Sequence, residues 1–482
     1  MSLNRREFVT AMTALGVAAA APATLGAASP PWSIGFAGVS SDLPPRPMEV
    51  TGLIPEACRG ALFRNGPALY ERAGQRYDHW FDPDGMLQVF RIGARTIDHQ
   101  GRFIRTDKFR REEAADRFLY NGAGSVIDGA RPLRSNESIN TANISVQPFN
   151  GELLALWEAG SPYRIDATTL DSRGQLYWND ELAGVPFSAH PRFDERGDLW
   201  NIGSVPFAGR PLLVLYHLGA DGTLKTWRTH ELDFSGYMHD FVLTPRYLVA
   251  LNSSLVVGEG ATFVDSMHWE GQRPSEVMIF DRNDFSLLAR IEVPPAFVFH
   301  FGNGWEEDDD LVFTACQYRD GAIVKEGMRR LARREPGPYH DSPALLRYRL
   351  SLRRRRASID RLDTTMEFPG FDRRDPFSAQ VLYGVGGQDR SESGLSSAVQ
   401  RVDPRSGERQ HFDYGPGFIV EEPLHVPDRD GGYLLHTWLD YRSRHSGLSI
   451  LRAADLAAGP VVTARMERVL PLGFHGCHLP GA

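Results

Sequence analysis

The sequence predicts an all-β fold that closes on itself, and three observations support this prediction. Beyond residue 30 the chain is built from short apolar or alternating segments, such as L-L-V-L-Y-H-L from Leu212 and Y-L-L-H-T-W-L from Tyr433. Turn pairs such as Asp221-Gly222 and Asp320-Gly321 separate these segments, as antiparallel hairpins require. Helical stretches are few and short. So many short antiparallel strands need closure to protect their edges.

A propeller of four-stranded blades provides such closure. Dividing residues 29–482 over seven blades leaves roughly 65 residues for each blade, which is enough for four strands with long connections. No repeat of fixed period is visible, so repeat motifs of the WD or kelch type are absent. The strand pattern by itself also permits a large sandwich or two barrels.

Two segments interrupt this pattern of strands. The stretch from Gly327 to Arg334, which the breaker P-G-P follows, is the clearest helical segment, and we expect it to form a surface insertion. The basic run from Arg353 to Arg356 follows a segment in which apolar residues alternate from Leu346 to Leu352. We interpret this run as a solvated strand end or turn rather than as a contact with lipid or nucleic acid.

The composition is that of a soluble globular protein, with 42% hydrophobic and 24% charged residues. A formal net charge of -8 provides no basic surface for nucleic acid, so we exclude nucleic acid as a partner. The cysteines form no C-x-x-C pair and are odd in number, which indicates neither a zinc ribbon nor a full disulfide framework. They are Cys58, Cys316 and Cys477, and at most one bridge could join two of them.

The N-terminus reads as a targeting segment. An Arg5-Arg6 pair followed by Phe8 precedes an Ala-rich stretch from Ala11 to Ala28, and the whole resembles a twin-arginine export signal. We therefore predict a signal peptide over residues 1–28, a single propeller domain over residues 29–482, and export to the periplasm. An uncleaved or disordered leader is the alternative.

Four histidines lie at the edges of strand-like segments that are far apart in the sequence. Their spacings are much too long for a local zinc motif, so a shared site would have to be assembled by the fold. A propeller can assemble it, because the innermost strand of each blade lines one central axis. Taken alone, each histidine is more often structural. The stretches are S-A-H-P-R-F-D with His190, Y-M-H-D-F-V-L-T with His239, F-V-F-H-F-G-N-G-W-E-E with His300, and G-F-H-G with His475.

The sequence around these histidines resembles the carotenoid cleavage oxygenase family of non-haem iron enzymes, which also includes stilbene-cleaving dioxygenases. The resemblance extends in the expected order over essentially the whole chain after the signal. Beside the histidine stretches, it rests on G-L-I-P-E-A-C-R-G-A-L-F-R-N-G-P from Gly52, H-W-F-D-P-D-G-M from His79, T-A-N from Thr141, A-L-W-E-A-G-S-P-Y-R from Ala155, M-E-F-P from Met366 and E-E-P-L-H-V-P from Glu421.

The resemblance implies a seven-bladed propeller in which loops and short helices cap an axial Fe(II) site. His190, His239, His300 and His475 match the four iron ligands, and the terminal segment would close the propeller and deliver the last of them. Four neutral imidazoles hold the ion without a carboxylate and, in an octahedral site, leave two positions for dioxygen or solvent.

Three glutamates match the family's carboxylates behind these ligands. Such a carboxylate accepts the second N–H of a metal-bound imidazole, which fixes the ring and raises its basicity. They are Glu158 in L-W-E-A-G, Glu367 in M-E-F-P and Glu422 in E-E-P, with the neighbouring Glu421 as a rival for the third place.

Other histidines receive structural interpretations. We expect His79 to tie loops together at the cavity mouth, and we expect His425 and His478 to pack. The motif after His300 lacks the second histidine that is usual in the family, which leaves the iron ligand intact but puts the shape of the substrate in doubt.

The resemblance also implies the reaction, in which dioxygen splits one C=C bond of an apolar conjugated substrate into two carbonyl products, without an organic cofactor. Stilbene-cleaving relatives use a tyrosine and a lysine to engage a phenol hydroxyl. Here His99 stands about where that tyrosine is expected, and none of the three lysines lies directly before T-A-N, because the nearest preceding one is Lys108. We therefore favour a carotenoid or apocarotenoid over a stilbene, and the export signal leaves a peripheral membrane contact for substrate uptake open.

A hypothesis from a different class is a calcium-assisted propeller hydrolase or lactonase, or a binding module without turnover. Calcium prefers oxygen ligands, whereas histidines with carboxylates behind them favour a transition metal.

Overall fold

The computed structural model describes residues 29–207, 209–336, 342–378, 380–387 and 392–481. Seven larger antiparallel sheets are arranged as the blades of a propeller, which confirms the all-β prediction and decides against the sandwich and the paired barrels. The predicted signal segment, residues 1–28, lies outside the described residues. No helix within the described ranges has the length and hydropathy needed to cross a membrane.

The first blade joins the two ends of the chain. Its strands, from the outer edge to the axis, are Leu43–Pro47, Ile97–Phe103, Asp84–Ile92, Gly60–Leu69 and Gly476–Pro480. We call Gly476–Pro480 the closing strand, because it pairs antiparallel with Gly60–Leu69 and places Phe63 opposite Cys477. The last ligand predicted from the sequence, His475, directly precedes this strand.

The next five blades are four-stranded, and in each of them the strands follow one another in chain order. Blade 2 contains Ser145–Phe149, Glu152–Leu156, Tyr163–Ile165 and Ser172–Gln175, and blade 3 contains Arg192–Phe193, Leu199–Val205, Leu212–Leu218 and Leu224–Glu231. Blade 4 contains Val242–Leu243, Tyr247–Asn252, Ser275–Asp281 and Leu287–Val293, and blade 5 contains Phe297–Glu307, Asp310–Tyr318, Ala344–Ser351 and Arg356–Thr365. Blade 6 contains Glu367–Gly370, Leu382–Val385, Ala398–Val402 and Arg409–Asp413.

Blade 7 provides a second closure, since its outer strand Glu49–Gly52 comes from the N-terminal part of the chain and pairs with Pro460–Met466. Two small hairpins lie outside the blades. The other strands of blade 7 are Phe418–Val420, Leu424–Val426, Tyr433–Asp440 and His445–Arg452, and the hairpins are Glu71–Arg72 with Gln75–Arg76 and Leu255–Val257 with Met267–Trp269.

Short helices and loops form a cap on one face of the propeller. The helix predicted at Gly327 to Arg334 is observed as Met328–Arg333, after a π-helical turn at Ile323–Gly327. The expectation of a surface insertion is wrong in one respect, because Met328, Leu331 and Ala332 are buried. The remaining helical segments are Asp107–Ala115, Phe263–Ser266 and the short 3₁₀ turns Pro31–Phe36, Glu56–Cys58 and Asn136–Ile139.

The prediction for the basic run agrees with the structure, and the three cysteines are free. Arg353 to Arg356 are exposed at the turn that joins Ala344–Ser351 to Arg356–Thr365, so the run is a solvated hairpin end. Cys58, Cys316 and Cys477 are all buried as free thiols.

Candidate metal centre

The four predicted histidines converge on the propeller axis. One nitrogen from each lies within 4.8 Å of the corresponding nitrogens of the others. The Nε2 atoms of His190 and His239 are 2.9 Å apart, and those of His300 and His475 are 3.2 Å apart. Three of the rings are buried, and His190 is half-buried.

Each ligand position follows from its place on an innermost strand. His190 and His239 come just before Arg192–Phe193 and Val242–Leu243, whereas His300 lies within Phe297–Glu307. Neighbouring innermost strands contact one another around the axis, so residues at their inner ends approach a common point. The histidines therefore meet although long stretches of chain separate them.

Three carboxylates hold the outer nitrogens of these rings, and they are the three that the sequence predicts. Since a carboxylate accepts the Nδ1 proton of its partner ring, the lone pair lies on Nε2 and faces the axis. The Nδ1 atoms of His239, His300 and His475 lie 2.5, 2.5 and 2.9 Å from oxygens of Glu158, Glu367 and Glu422 respectively.

Glu421, the rival for the third place, points elsewhere. Its carboxylate accepts hydrogen bonds from the Gly473 amide and the Thr437 hydroxyl. His190 has no carboxylate partner of this kind in the described part of the chain, and its backbone amide is bonded to the Ser188 hydroxyl at 3.2 Å. Acids thus orient three of the four rings, whereas the hydrogen bond at His190 holds its backbone.

Burial keeps two of the rings neutral. It lowers the pKa of His190 well below its usual value, and the neighbouring imidazoles add to this effect. Burial also lowers the pKa of His475 to about 4, although Glu422 opposes the shift. For His300 burial acts in the same direction, but Glu367 outweighs it and the pKa is raised. Neutral imidazoles are the form that binds a metal ion.

The donor set fits a transition metal. Unprotonated Nε2 atoms at this separation repel one another unless a cation lies between them, and four nitrogen donors suit iron, zinc or copper. Calcium requires oxygen donors. The residues present therefore match a nitrogen-ligated transition metal such as Fe(II).

The sequence motifs do not predict two side chains that contact the carboxylates. The Tyr237 hydroxyl donates to Oε1 of Glu158 at 2.7 Å, and the Arg64 guanidinium donates to Oε2 of Glu422 at 2.8 Å. A signal for Tyr237 was present, because a residue two before His239 in an extended segment points to the same side. Arg64 lies in the matched segment F-R-N-G-P, but nothing local connects it with a glutamate 358 residues later.

Two cavities lie at the cluster, one beside its histidines and one beside the side chains behind them. The smaller has a volume of about 140 Å³ and reaches His239, His300 and His475. The larger has a volume of about 780 Å³ and reaches Glu158 and Tyr237. Both are lined by Phe81 and Ile144; the smaller is also lined by Trp80, Phe299, Tyr318 and Phe368, and the larger by Trp157, Phe207 and Phe263.

A third cavity of about 630 Å³ follows the axis and also reaches the cluster, at His190, His300 and His475. Its walls carry charged side chains, among them Arg192 and Asp240, which form an ion pair at 2.6 Å. The smaller cavity therefore meets the cluster at His239, His300 and His475, and the third cavity meets it at His190, His300 and His475.

The remaining predicted histidines have structural contacts. His79 bonds the Val324 carbonyl at 2.7 Å and so ties the H-W-F-D loop to the cap, as expected. His425 stacks on the Tyr383 ring, and His478 bonds the Cys58 carbonyl at 3.2 Å.

His99 does not stand where a substrate could reach it. It is buried in the first blade between the Phe90 ring and the Gln88 side chain, and it lines none of the three cavities. Lys108 is also remote from the cavities, because it is buried in ion pairs with Asp84 and Glu112. The use of His99 as a marker of substrate recognition is therefore not supported.

Comparison with known proteins identifies a family for this chain. The family model for retinal pigment epithelial membrane protein matches residues 36–480. Apocarotenoid-15,15'-oxygenase of Synechocystis sp. is 27% identical, over 89% of this chain and 92% of the relative. Carotenoid 9,10(9',10')-cleavage dioxygenase 1 of Pisum sativum is 26% identical, over 91% and 88%. Isoeugenol monooxygenase of Pseudomonas nitroreducens is 26% identical, over 90% and 94%.

Solved structures show the same architecture. A glutamate-to-glutamine variant of Synechocystis apocarotenoid oxygenase superposes with a TM-score of 0.82 at 25% identity, covering 93% of this chain and 98% of that one. A cobalt-substituted form of the Synechocystis enzyme also superposes with a TM-score of 0.82. With a family model that spans nearly the whole described chain, this protein belongs to the carotenoid cleavage oxygenase family, which the retinal pigment epithelial membrane protein model represents.

Proposed function

We propose that the protein is a non-haem Fe(II) dioxygenase that uses dioxygen to split one C=C bond of an apolar conjugated molecule into two carbonyl products. The observation that carries the proposal is the convergence of one ring nitrogen from each of four histidines, three of which line an aromatic cavity. The preferred substrate class is a carotenoid or apocarotenoid, in agreement with the names of two of the relatives.

Bound iron would supply the redox-active centre at which dioxygen reacts with the double bond. The chain's own groups orient and protect that centre. Glu158, Glu367 and Glu422 hold the protons on Nδ1 and direct the ring lone pairs inward. The aromatic side chains of the smaller cavity exclude water from the reacting bond, which limits side reactions.

The cavity walls support an apolar substrate. Trp80, Phe81, Phe299 and Phe368 present rings to the smaller cavity beside the histidines. Such walls suit a flat conjugated chain, which gains from contact with aromatic faces and needs few hydrogen bonds.

A second candidate substrate class is the aryl alkenes, which include hydroxystilbenes. Two relatives are isoeugenol monooxygenases, and the larger cavity mixes apolar groups with polar side chains such as Asn136 and Tyr237. A phenol hydroxyl could bind in that cavity.

Turnover of three compounds should separate the two classes. We expect kcat/KM for an apocarotenal to exceed that for a 4-hydroxystilbene, and the hydroxystilbene to be no better than its deoxy analogue. An apolar cavity discriminates weakly by length, whereas a site built for a hydroxyl strongly rejects the analogue that lacks it. Steady-state oxygen uptake with iron-loaded protein, and with metal-free protein as control, provides the measurement. A large preference for the hydroxystilbene over both other compounds would make the aryl alkenes the substrate class.

We also propose that the protein is exported, on the basis of the Arg5-Arg6 leader. A twin-arginine pathway carries folded proteins, which suits one that acquires a metal before transport. Cell fractionation of the full chain should find the protein in the periplasm, and the Arg5→Lys, Arg6→Lys double variant should accumulate in the cytoplasm. An unchanged distribution of the double variant would contradict export by this route.

A further inference from the structure

The carboxylates behind the metal ligands are themselves held in different ways. Glu158 accepts a hydrogen bond from the neutral Tyr237 hydroxyl. The Phe368 amide donates to Oε2 of Glu367 at 3.1 Å, and the Oε1 atom has no hydrogen-bond partner among the described residues. Glu422 is the member of this set that a guanidinium holds.

That guanidinium belongs to Arg64, whose side chain is only 2% exposed. Nη1 donates to Oε2 of Glu422 at 2.8 Å, and Nη2 donates to the carbonyl of Phe474 at 3.0 Å. Phe474 directly precedes His475. One rigid planar group therefore holds both the carboxylate that orients His475 and the backbone that carries it.

Arg64 also lies at the closure of the propeller. It stands opposite Gly476 in the pairing of Gly60–Leu69 with the closing strand. The Gly476 amide donates to Oε2 of Glu422 at 2.8 Å, so this oxygen joins the arginine to the start of the closing strand. A Cβ atom on Gly476 would lie 2.2 Å from the Phe63 carbonyl and 2.9 Å from Cδ of Arg64, so the close approach requires glycine.

The charges at this point depend on Arg64. Glu422 is largely buried, with 13% of its side chain exposed, and Glu421 approaches Arg64 at 3.9 Å. A buried carboxylate that loses its cation is left uncompensated, which disturbs whatever else that carboxylate orients. Here that is the imidazole of His475, whose Nδ1 lies 2.9 Å from Glu422.

We propose that Arg64 is a positioning residue of the metal centre, which links closure of the first blade to delivery of His475 as the last ligand. The inference rests on the proposed metal centre. Arg64 lines none of the three cavities described above, and within the described residues its side-chain hydrogen bonds go to Glu422 and the Phe474 carbonyl, so it acts through these two groups.

Cobalt binding to the metal-free protein tests this role without turnover. We expect Arg64→Gln to weaken Co(II) affinity, measured by chelator competition, about 10-fold, as for other outer partners of metal ligands. The visible spectrum of the bound cobalt should change, because His475 is less well held. Arg64→Lys keeps the positive charge but loses the planar pair of N–H donors, so its Co(II) affinity should lie between those of the wild type and Arg64→Gln.

Arg282→Gln is the matched control, since Arg282 forms a similarly buried ion pair with Asp194 away from the four rings. It should lower the unfolding temperature but leave Co(II) affinity and spectrum unchanged. Wild-type Co(II) affinity and spectrum in Arg64→Gln would overturn the inference, because the substitution would then affect at most the stability of the fold and not the metal centre. Failure of the wild-type chain to bind Co(II) would instead refute the metal centre itself, and the inference with it.

A double variant covers the case in which Arg64→Gln does not fold. Arg64→Gln combined with Glu422→Gln removes both buried charges. Because Arg64 acts partly through Glu422, adding Arg64→Gln to Glu422→Gln should cost less than the roughly 10-fold loss of Co(II) affinity expected in the wild-type background, and the remainder reflects the lost contact with the Phe474 carbonyl. A further loss of about 10-fold or more in the double variant, relative to Glu422→Gln alone, would contradict the inference.

Discussion

Replacement of any one of the four axial histidines by alanine is expected to remove bound iron and catalytic turnover together. Each ring contributes one of the nitrogens that lie within 4.8 Å of one another, so its loss removes one of the four donors. Outer partners of such ligands are each worth about 10- to 100-fold in affinity or activity, and loss of a ligand itself should exceed that range. The measurements are iron content and oxygen uptake for the alanine variants at His190, His239, His300 and His475.

A histidine outside the cluster provides the control. His268 also pairs with a glutamate, Glu270, at 3.0 Å, but its side chain is 51% exposed. His268→Ala should retain wild-type iron and turnover. Full iron and full turnover in His475→Ala would show that the terminal motif supplies no ligand.

The second large effect is expected at the carboxylates. Glu158→Gln, Glu367→Gln and Glu422→Gln keep the side-chain size but weaken acceptance of the Nδ1 proton, so activity or metal affinity should fall by about 10- to 100-fold. Chelator competition and kcat/KM for each variant measure the loss.

Glu421 provides the matched comparison, because it is adjacent to Glu422 but bonds the Thr437 hydroxyl and the Gly473 amide instead of a ring. Glu421→Gln should therefore have a smaller effect than Glu422→Gln. Wild-type activity and metal affinity in all three predicted Gln variants would show that the carboxylates do not support the metal centre. A loss confined to Glu421→Gln would contradict the geometry at His475.

Much of the fold could be predicted because its signals are local. The segments from Leu212 and Tyr433 are short, mostly apolar runs of strand length, and they form Leu212–Leu218 and Tyr433–Asp440. The basic run at Arg353 lies at a hairpin turn because the alternating strand before it ends there. The blade arrangement, by contrast, depends on pairing between strands that are far apart in the sequence. The strand pattern alone therefore also permits other β folds, such as a sandwich or two barrels.

The site likewise combines residues that local motifs predict with residues whose role depends on long-range contacts. The histidines and glutamates could be named because each stands in a motif that resembles a family. Arg64 and Tyr237 could not, since their role arises from contact with Glu422 and Glu158, which the fold brings together from distant parts of the chain. His99 illustrates the opposite error, in which a position in the sequence was taken for a position in a cavity.

The donor set also weighs against the calcium-assisted hydrolase. All four inward-facing atoms are nitrogens, and the nearby carboxylates are engaged with the outer edges of the rings. Calcium would need those oxygens to turn toward the axis. A transition metal needs no such rearrangement.

The most direct test of the account is the metal content of the protein, determined by elemental analysis after purification without chelator and anaerobic incubation with Fe(II). We predict one tightly held iron per chain in the wild type, and iron near background in His239→Ala. Iron at background in the wild type, or calcium as the ion that stays bound, would contradict the central claim that the four histidines form an iron centre.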